Sequence, residues 1–336
     1  MDQIKLAFIG CGSHSSACLQ PNIAHIPQIE FVATCDLDEE KARSCARRFG
    51  ALAAYADYRE MLAKENLDAV GICGPAQMHT EVGIACLDAG LHVFLEKPHA
   101  VSVQESARVC QAAERNGKFG MVATMWRHAK AYTIAKDLMG DDDFGHPILF
   151  EGYYLTPGPR QPLWDQDSLA WSHLLGQTVH PVDCMRFLMG DVTEVYAKIH
   201  ERSDGVLSYA PHFQFTSGAV GTLCVTSGAA AIDMQTLVAG DKGMAVEVTN
   251  MIHVRCVRSP AWVGQGGYRD YPTHEWDAGS YYLGHARHGY IEELTHFADS
   301  ILKNEQPRAS LVDAHEGLRI CRAIIDSDAR GAPVTL

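Results

Sequence analysis

The sequence has no paired cysteines. Its eleven cysteines stand as singletons between Cys11 and Cys321, with an odd total and no C-x-x-C spacing, which excludes a disulfide framework and points to a reducing, cytoplasmic setting. Most fall in apolar periodic runs, where a free thiol acts as a small core residue; Cys11 is expected to border a ligand without reacting. Basic residues are also scarce. Lys and Arg number 28 against 41 acidic residues, a net charge of -13, and they form no block, so neither nucleic acid nor an anionic membrane finds an electrostatic footprint. Long apolar runs are missing too. Ile4 to Cys11 ends in glycine and reads as a strand, not a leader; Gly205 to Ile232 carries no charged side chain but is interrupted by Pro211, His212 and Gln214, and reads as paired strands. Histidines are plentiful, at 17, yet neither His285-x-x-His288 nor His173 with His180 is completed by a carboxylate or cysteine cluster, so no metal is expected.

What is present suffices for two domains over 336 residues. The first third alternates strand candidates (Ile4 to Ile9, Glu30 to Cys35, Ala69 to Ile72, His92 to Leu95, Lys118 to Val122) with helical spacing at Glu39 to Phe49, Tyr58 to Glu65, Thr80 to Ala89 and Val103 to Asn116. Such alternation implies a doubly wound parallel sheet with both faces covered. After Val122 the rhythm changes. Pro147 to Leu155, Thr193 to Glu201, Leu207 to Thr216, Ala219 to Thr226, Met234 to Ala239, Ala245 to Thr249 and His253 to Val257 follow one another with few helices between them. Ser217-Gly218 and Asp241-Lys242-Gly243 are hairpin signals, so these strands should pair antiparallel. Helices are expected at Val179 to Met189, closed by Gly190, and at Ser310 to Ala329, opened by Ser310 with Asp313 in the first turn. The expected architecture is α/β: a Rossmann domain over residues 1–124 and an α+β domain with a large, mostly antiparallel open sheet over 125–336, the final helix (310–329) packing back on the first domain.

Gly10-Cys11-Gly12-Ser13-His14-Ser15 closes the first strand and precedes a helical segment, where the first glycine permits the turn and the second lets backbone approach a pyrophosphate. The third position needs a small residue for helix packing, which Ser15 supplies. Asp36, after the second strand, stands where a carboxylate binds the ribose hydroxyls and repels a 2′-phosphate, so NAD is preferred over NADP. Arg43 and Arg47 are the cations that would offset it. Pro21 should delay or kink the first helix. Downstream, Glu96-Lys97-Pro98 follows His92 to Leu95, which puts Lys97 beyond the carboxyl end of a strand, on the edge where the Gly-rich turn holds its ligand.

Together, Gly10-x-Gly12, Asp36, Gly74-Pro75 with His79, Glu96-Lys97-Pro98, Arg127, His180 with Asp183, and the closing Ser310 to Leu336 resemble the Gfo/Idh/MocA family, the family of glucose-fructose oxidoreductase and inositol dehydrogenases, over essentially the whole chain. The resemblance implies hydride transfer between a nicotinamide and a sugar, cyclitol or related polyol. It makes Lys97 the catalytic lysine and His180 the histidine of the D-x-x-x-H signature, but Gly176 stands where that signature has its Asp. It further implies cofactor contacts at Gly10, Gly12, Ser13, His14, Asp36, Gly74, Pro75, His79, Glu96, Lys97 and Arg127. Substrate-facing positions are Lys97, Trp126, Arg127, Tyr153, Trp164, His180 and His285. A histidine (~6.5) is largely neutral at pH 7 whereas a lysine (~10.4) is not, so His180 is the easier proton acceptor and Lys97 the charge that polarises the reacting oxygen. Asp183, one turn beyond His180, either orients it or serves helix interactions. A redox-assisted lyase or glycosidase with retained NAD, and a non-catalytic NAD-sensing regulator, are the competing readings. The small-molecule enzyme is expected to be a homodimer or homotetramer, since an open sheet face commonly buries itself against another subunit.

Overall fold

A computed structural model describes residues 3–258, 273–279 and 288–336. The chain forms two compact units, Met1–Met125 with Gly289–Leu318, and Trp126–His288 with Arg319–Leu336.

In the first unit, strands β1 (Ile4–Ile9), β2 (Ile29–Cys35), β3 (Ala53–Tyr55), β4 (Ala69–Ile72), β5 (His92–Leu95) and β6 (Gly120–Val122) make a six-stranded sheet in the order β3-β2-β1-β4-β5-β6. All of its pairs are parallel. The reversal of order at β1 and β4 leaves a crevice beyond the strands' carboxyl ends. Helices α1 (Gln20–Ile23), α2 (Glu39–Phe49), α3 (Tyr58–Lys64), α4 (Ala76–Asp88) and α5 (Val103–Asn116) connect the strands. Their ends are written in the sequence. Asp38 accepts the amides of Glu40 and Lys41 at the start of α2, Ser102 accepts that of Glu105 at the start of α5, and Gly50 and Gly117 close both helices in the left-handed conformation. Aliphatic residues from the strands and α4 and α5 fill one layer, including Ile9, Val70, Val93, Leu87 and Val109.

Pro21 does not delay the first helix, as its position had suggested. Helical structure starts at Ser13, the Ser16 amide donates to the Gly12 carbonyl at 3.0 Å, and a π-turn at Ser15–Leu19 leads into α1. The wider turn shifts the hydrogen-bond pattern just where proline has no N–H to offer.

The second unit carries α6 (Lys130–Leu138), α7 (Leu169–His173), α8 (Val179–Met189) and strands β7 (Pro147–Leu155), β8 (Val192–Tyr196), β9 (Ile199–Glu201), β10 (Leu207–Tyr209), β11 (His212–Phe215), β12 (Val220–Thr226), β13 (Asp233–Gly240), β14 (Ala245–Thr249), β15 (His253–Val257), β16 (Thr273–Asp277) and β17 (Val334–Thr335). The main path of the sheet runs β16-β15-β14-β13-β7-β12-β11-β8-β17, with β10 paired to β12 and β9. It is mostly antiparallel, as expected, with one exception: β7 and β12 run parallel, Val220 facing Leu149 through Thr226 facing Leu155. Two expected strands are also broken. Thr193 to Glu201 divides because the amides of Ala197 and Ile199 donate to Ser327 and Asp328 side chains, and Leu207 to Thr216 divides at Pro211, which has no amide to donate. The two hairpin glycines, Gly218 and Gly243, take φ of 86° and 89°.

Helix α9 (Tyr290–Lys303) was not anticipated. Its Tyr290, Leu294, Phe297 and Ala298 pack with Phe8, Phe31, Phe94 and Met121 in the first unit, and the Phe94 and Phe297 rings lie 5.7 Å apart. Helix α10 (Leu311–Arg330) follows Ser310, whose hydroxyl accepts the Asp313 amide; its residues to Leu318 belong to the first unit and those from Arg319 to the second. Among the described residues no helix is long and apolar enough to cross a membrane.

Candidate active site

The Gly-rich turn leaves β1 with Gly10 at φ 97°, and a Cβ there would collide with the Cys73 carbonyl. Only glycine fits. At Gly12 the reason differs, since an added Cβ would meet nothing within 4 Å: the residue borders open space that a ligand's phosphates can enter. Ser15, the small residue of the motif, is fully buried and accepts a hydrogen bond from the Gln20 amide group at 2.9 Å. The same turn is tied to β2 by Asp36, whose carboxylate accepts the Cys11 amide at 2.8 Å and the Asp38 amide at 3.0 Å.

Gly10, Gly12, Asp36, Gly74 and Pro75 line one cavity of 440 Å³ in the first unit. Its walls include Asp57, Tyr58 and Arg59 from the start of α3, which the sequence reading missed because no spacing rule links them to the turn. Arg43 and Arg47, the cations expected to serve a 2′-phosphate, are instead paired along α2 with Glu39 and Glu40 at 2.6 and 2.7 Å. The open space at Gly12 together with the Asp36 carboxylate fits a dinucleotide lacking a 2′-phosphate. Burial pushes the Cys11 thiol up to about 12.

His79 has both ring nitrogens engaged within the first unit. It is buried, its Nδ1 donating to the Pro98 carbonyl at 2.8 Å and its Nε2 accepting the Gly74 amide at 3.2 Å, so it braces the Gly74-Pro75 turn against the loop after Lys97. Burial lowers its pKa and keeps it neutral, as that pattern requires. Glu96 is buried and pairs with His14 Nε2 at 2.9 Å. Hydrogen bonds to Cys18 and then to Glu96 push His14 up to about 10, placing a positive charge at the start of the first helix, beside the Gly-rich turn. The His14 ring packs edge-on to Tyr290 at 5.9 Å. Near it Glu293, fully buried with neither carboxylate oxygen hydrogen-bonded, is pushed well up by burial and by the charge of Glu96, and is neutral. Tyr290 and Glu293 escaped the sequence reading with α9 itself. Lys97 follows β5 and is half-buried.

In the second unit, α7, a π-turn at Leu174–Thr178 and α8 form one continuous helical run, so His180 lies inside it rather than at a helix start. Its ring is buried and lies parallel to Trp126, 5.3 Å away and inclined by 11°. Trp126, only 3% exposed, supports the His180 ring. Arg127 is likewise committed: Nε and Nη2 reach the two Asp183 oxygens at 2.7 and 2.5 Å, with both side chains buried. The guanidinium is the partner of Asp183, and Asp183 holds Arg127.

Tyr153 and Tyr154 point to opposite faces of β7. Strand periodicity puts Tyr153 on the face opposite Phe150 and Tyr154; Tyr154 packs against Trp126 at 5.2 Å and donates to Gln177 Oε1 at 3.0 Å, while the Tyr153 hydroxyl reaches Asp233 at 3.4 Å. Trp164 lies over Gly176, where an added Cβ would stand 3.1 Å from the indole. His173 has both ring nitrogens engaged, Nδ1 with Tyr209 at 2.7 Å and Nε2 with Thr156 at 3.2 Å. His285 lies outside the described residues.

Comparison with known proteins agrees with this geometry. Residues 4–124 match the model of the oxidoreductase family with an NAD-binding Rossmann fold, and residues 132–246 match the Gfo/Idh/MocA C-terminal domain. The chain belongs to the Gfo/Idh/MocA oxidoreductase family. An uncharacterised oxidoreductase of Bacillus subtilis (strain 168), YrbE, is 27% identical over 99% of this chain and 97% of its own. A myo-inositol 2-dehydrogenase of Thermotoga maritima is 25% identical over 94% of this chain and 93% of its own. Among solved structures, a dehydrogenase from Chromobacterium violaceum superposes with a TM-score of 0.92 at 26% identity, covering 98% of this chain and 97% of that one. A levoglucosan dehydrogenase in complex with NADH shares the fold at a TM-score of 0.87 and 22% identity, with 99% of each chain covered. The family's Rossmann domain binds NAD, and the chain is an NAD-dependent oxidoreductase.

Proposed function

We propose that this oxidoreductase oxidises a secondary alcohol of a sugar or cyclitol, with Lys97 and His180 as its catalytic residues. The observation that carries the proposal is the cavity in which Gly10, Gly12 and Asp36 converge, on the strand ends from which Lys97 also emerges. Relatives named as dehydrogenases of inositol and levoglucosan support the substrate class. A nicotinamide dinucleotide held by Gly10, Gly12 and Asp36 would supply the acceptor for the hydride of the alcohol carbon. The protein's part is to take the hydroxyl proton and to steady the charge developing on oxygen. His180, oriented by its stack on Trp126, takes that proton; the Lys97 ammonium donates a hydrogen bond to the oxygen as it becomes anionic. The Asp36 carboxylate selects NAD by accepting from the ribose hydroxyls and repelling a 2′-phosphate.

The test is NADH formation by the purified protein with a panel of cyclitols, pyranoses and acyclic polyols, repeated with NADP and with Asp36→Ala. Turnover with NAD on ring polyols, and a smaller NAD preference in Asp36→Ala, are the expected results. No NADH from any member of the panel, or product formed without added NAD, would replace this reading with a regulator or a redox-assisted lyase respectively.

On the open face of the second unit's sheet, Leu149 and Val220, 39% and 50% exposed, are directly paired across β7 and β12. A second copy of the chain is the expected cover. Light scattering should find a dimer or tetramer, and Leu149→Lys with Val220→Lys should dissociate it; a wild-type monomer would refute the assignment.

A further inference from the structure

Glu293 is fully buried, and among the described residues neither of its carboxylate oxygens has a hydrogen-bond partner. A bare buried carboxyl group costs stability, so packing alone does not account for it. Its place in the fold does. Glu293 lies one turn after Tyr290 on α9, so the two share a helix face. The Tyr290 ring packs edge-on to His14 at 5.9 Å, and His14 Nε2 bonds Glu96 Oε1 at 2.9 Å. Glu96 is fixed at the end of the parallel sheet, its amide donating at 2.8 Å to the carbonyl of Ile72, the last residue of β4. One cluster within the first unit therefore joins the bare carboxyl group to the strand ends.

The cluster holds one histidine cation between two carboxyl groups, and Glu96 takes it. Burial and then the charge of Glu96 push Glu293 well up, while His14 opposes them and Glu292, on the same helix, adds to them. Cys18 of the π-turn bonds both His14 and Tyr290, and Cys73, after β4, connects Glu96 to Lys97 electrostatically. Of the other elements packed on α9, α1 has no ionisable side chain, and Lys5, the only one of β1, lies at the far end of that strand. The His14 side chain is 41% exposed, against 7% for Glu96, so the histidine connects the cluster to water.

Asp36 follows β2 and Glu96 follows β5, on opposite sides of the reversal at β1 and β4. A dinucleotide crosses such a reversal, so with its adenosine ribose at Asp36 its nicotinamide half belongs on the side of β4 and β5. NAD and NADH differ there by one positive charge. We infer that Glu293 is a proton site linked to the oxidation state of the cofactor: its carboxyl group keeps its proton in the free protein and beside NADH, and releases it when NAD binds. The cationic ring gives the second carboxyl group the positive neighbour it lacks, which favours its anion. On release the O–H electron pair stays on the carboxylate and the proton passes to water. By linkage, NAD must then bind more tightly relative to NADH as pH rises. The inference needs only the dinucleotide site and is independent of which alcohol is oxidised.

The test is calorimetric titration of the intact protein with NAD and with NADH between about pH 7 and 9, in two buffers of different ionisation heat at each pH, which counts the protons released. The adenosine and pyrophosphate are common to both ligands, so the difference isolates the ring charge. NAD should release at least about half a proton more than NADH at the maximum, and its affinity should rise about threefold or more per pH unit relative to that of NADH. Glu293→Gln, which mimics the protonated group, should abolish both differences and still bind NADH. Glu292→Gln should keep them. The inference is overturned if the wild type releases equal numbers of protons to NAD and NADH, a comparison that needs no variant. It is equally overturned if Glu293→Gln retains the wild-type difference or if Glu292→Gln removes it.

Discussion

Among the described residues, burial disfavours the protonated form of five histidines. Burial is the first cause in each: it lowers His79, takes His92, His173 and His296 down to about 4, and takes His99 to about 3. Each is protonated in the unfolded chain below about 6.5 but stays neutral when folded, so the unfolded state binds more protons and stability falls as pH drops from about 6.5 toward 4. Every such histidine contributes at most about 1.4 kcal/mol per pH unit in that window. His14 has the opposite sign, since its pKa is raised to about 10, and its contribution, full below about 6.5, is lost progressively as pH rises from there to about 10. Urea midpoints should therefore fall between about pH 6.5 and 5, before most carboxylates titrate, and the fall should be shallower in His99→Gln. A flat midpoint across that range would contradict the assignment. At this scale the sequence was legible where backbone geometry dictates the residue, as at Gly10, Gly12 and Asp36. It was silent where a side chain's partner lies far along the chain: nothing near Arg127 announces Asp183, and nothing near His79 announces the Pro98 carbonyl.

Among the elements, the regular ones were readable because their caps are local: Asp38, Ser102, Gly50 and Gly117 mark their helices in the sequence itself. The two π-turns were not. Both widen a helix at a functional segment, one after the Gly-rich turn and one around Gly176, and no periodicity in the side chains signals them. Strand alternation identified β7 as an element but not its facing, and the one-residue difference between Tyr153 and Tyr154 decides which ring joins Trp126. Between the short helix at Met125–His128 and α8, the Arg127–Asp183 pair fixes the segment that carries Trp126, and through it the ring of His180. Removing one partner of a buried pair strands the other charge, so Arg127→Met should cost about 3–5 kcal/mol in chemical denaturation. The double variant with Asp183→Leu should recover much of that loss. Equal destabilisation by both would show that the charge of Asp183 is not what the guanidinium offsets.

For the molecule as a whole, the change of rhythm near Val122 divided the chain into a parallel and a mostly antiparallel sheet, because βαβ alternation and successive hairpins leave different periods in the sequence. The return of residues 289–318 to the first unit was less visible. Helix α9 buries one apolar face in the Rossmann core, and its sequence has the spacing of any amphipathic helix, so nothing in it specifies which sheet it covers. The proposed function gives Lys97 and His180 each its own task in one oxidation. The most direct test of that division of labour is steady-state turnover alongside NADH affinity for Lys97→Ala and His180→Ala. The account predicts that each loses at least about a hundredfold in kcat, within the range of general acid–base and electrostatic contributions, while NADH affinity changes by less than about threefold. Full turnover in either variant, or loss of NADH binding in Lys97→Ala, would contradict it.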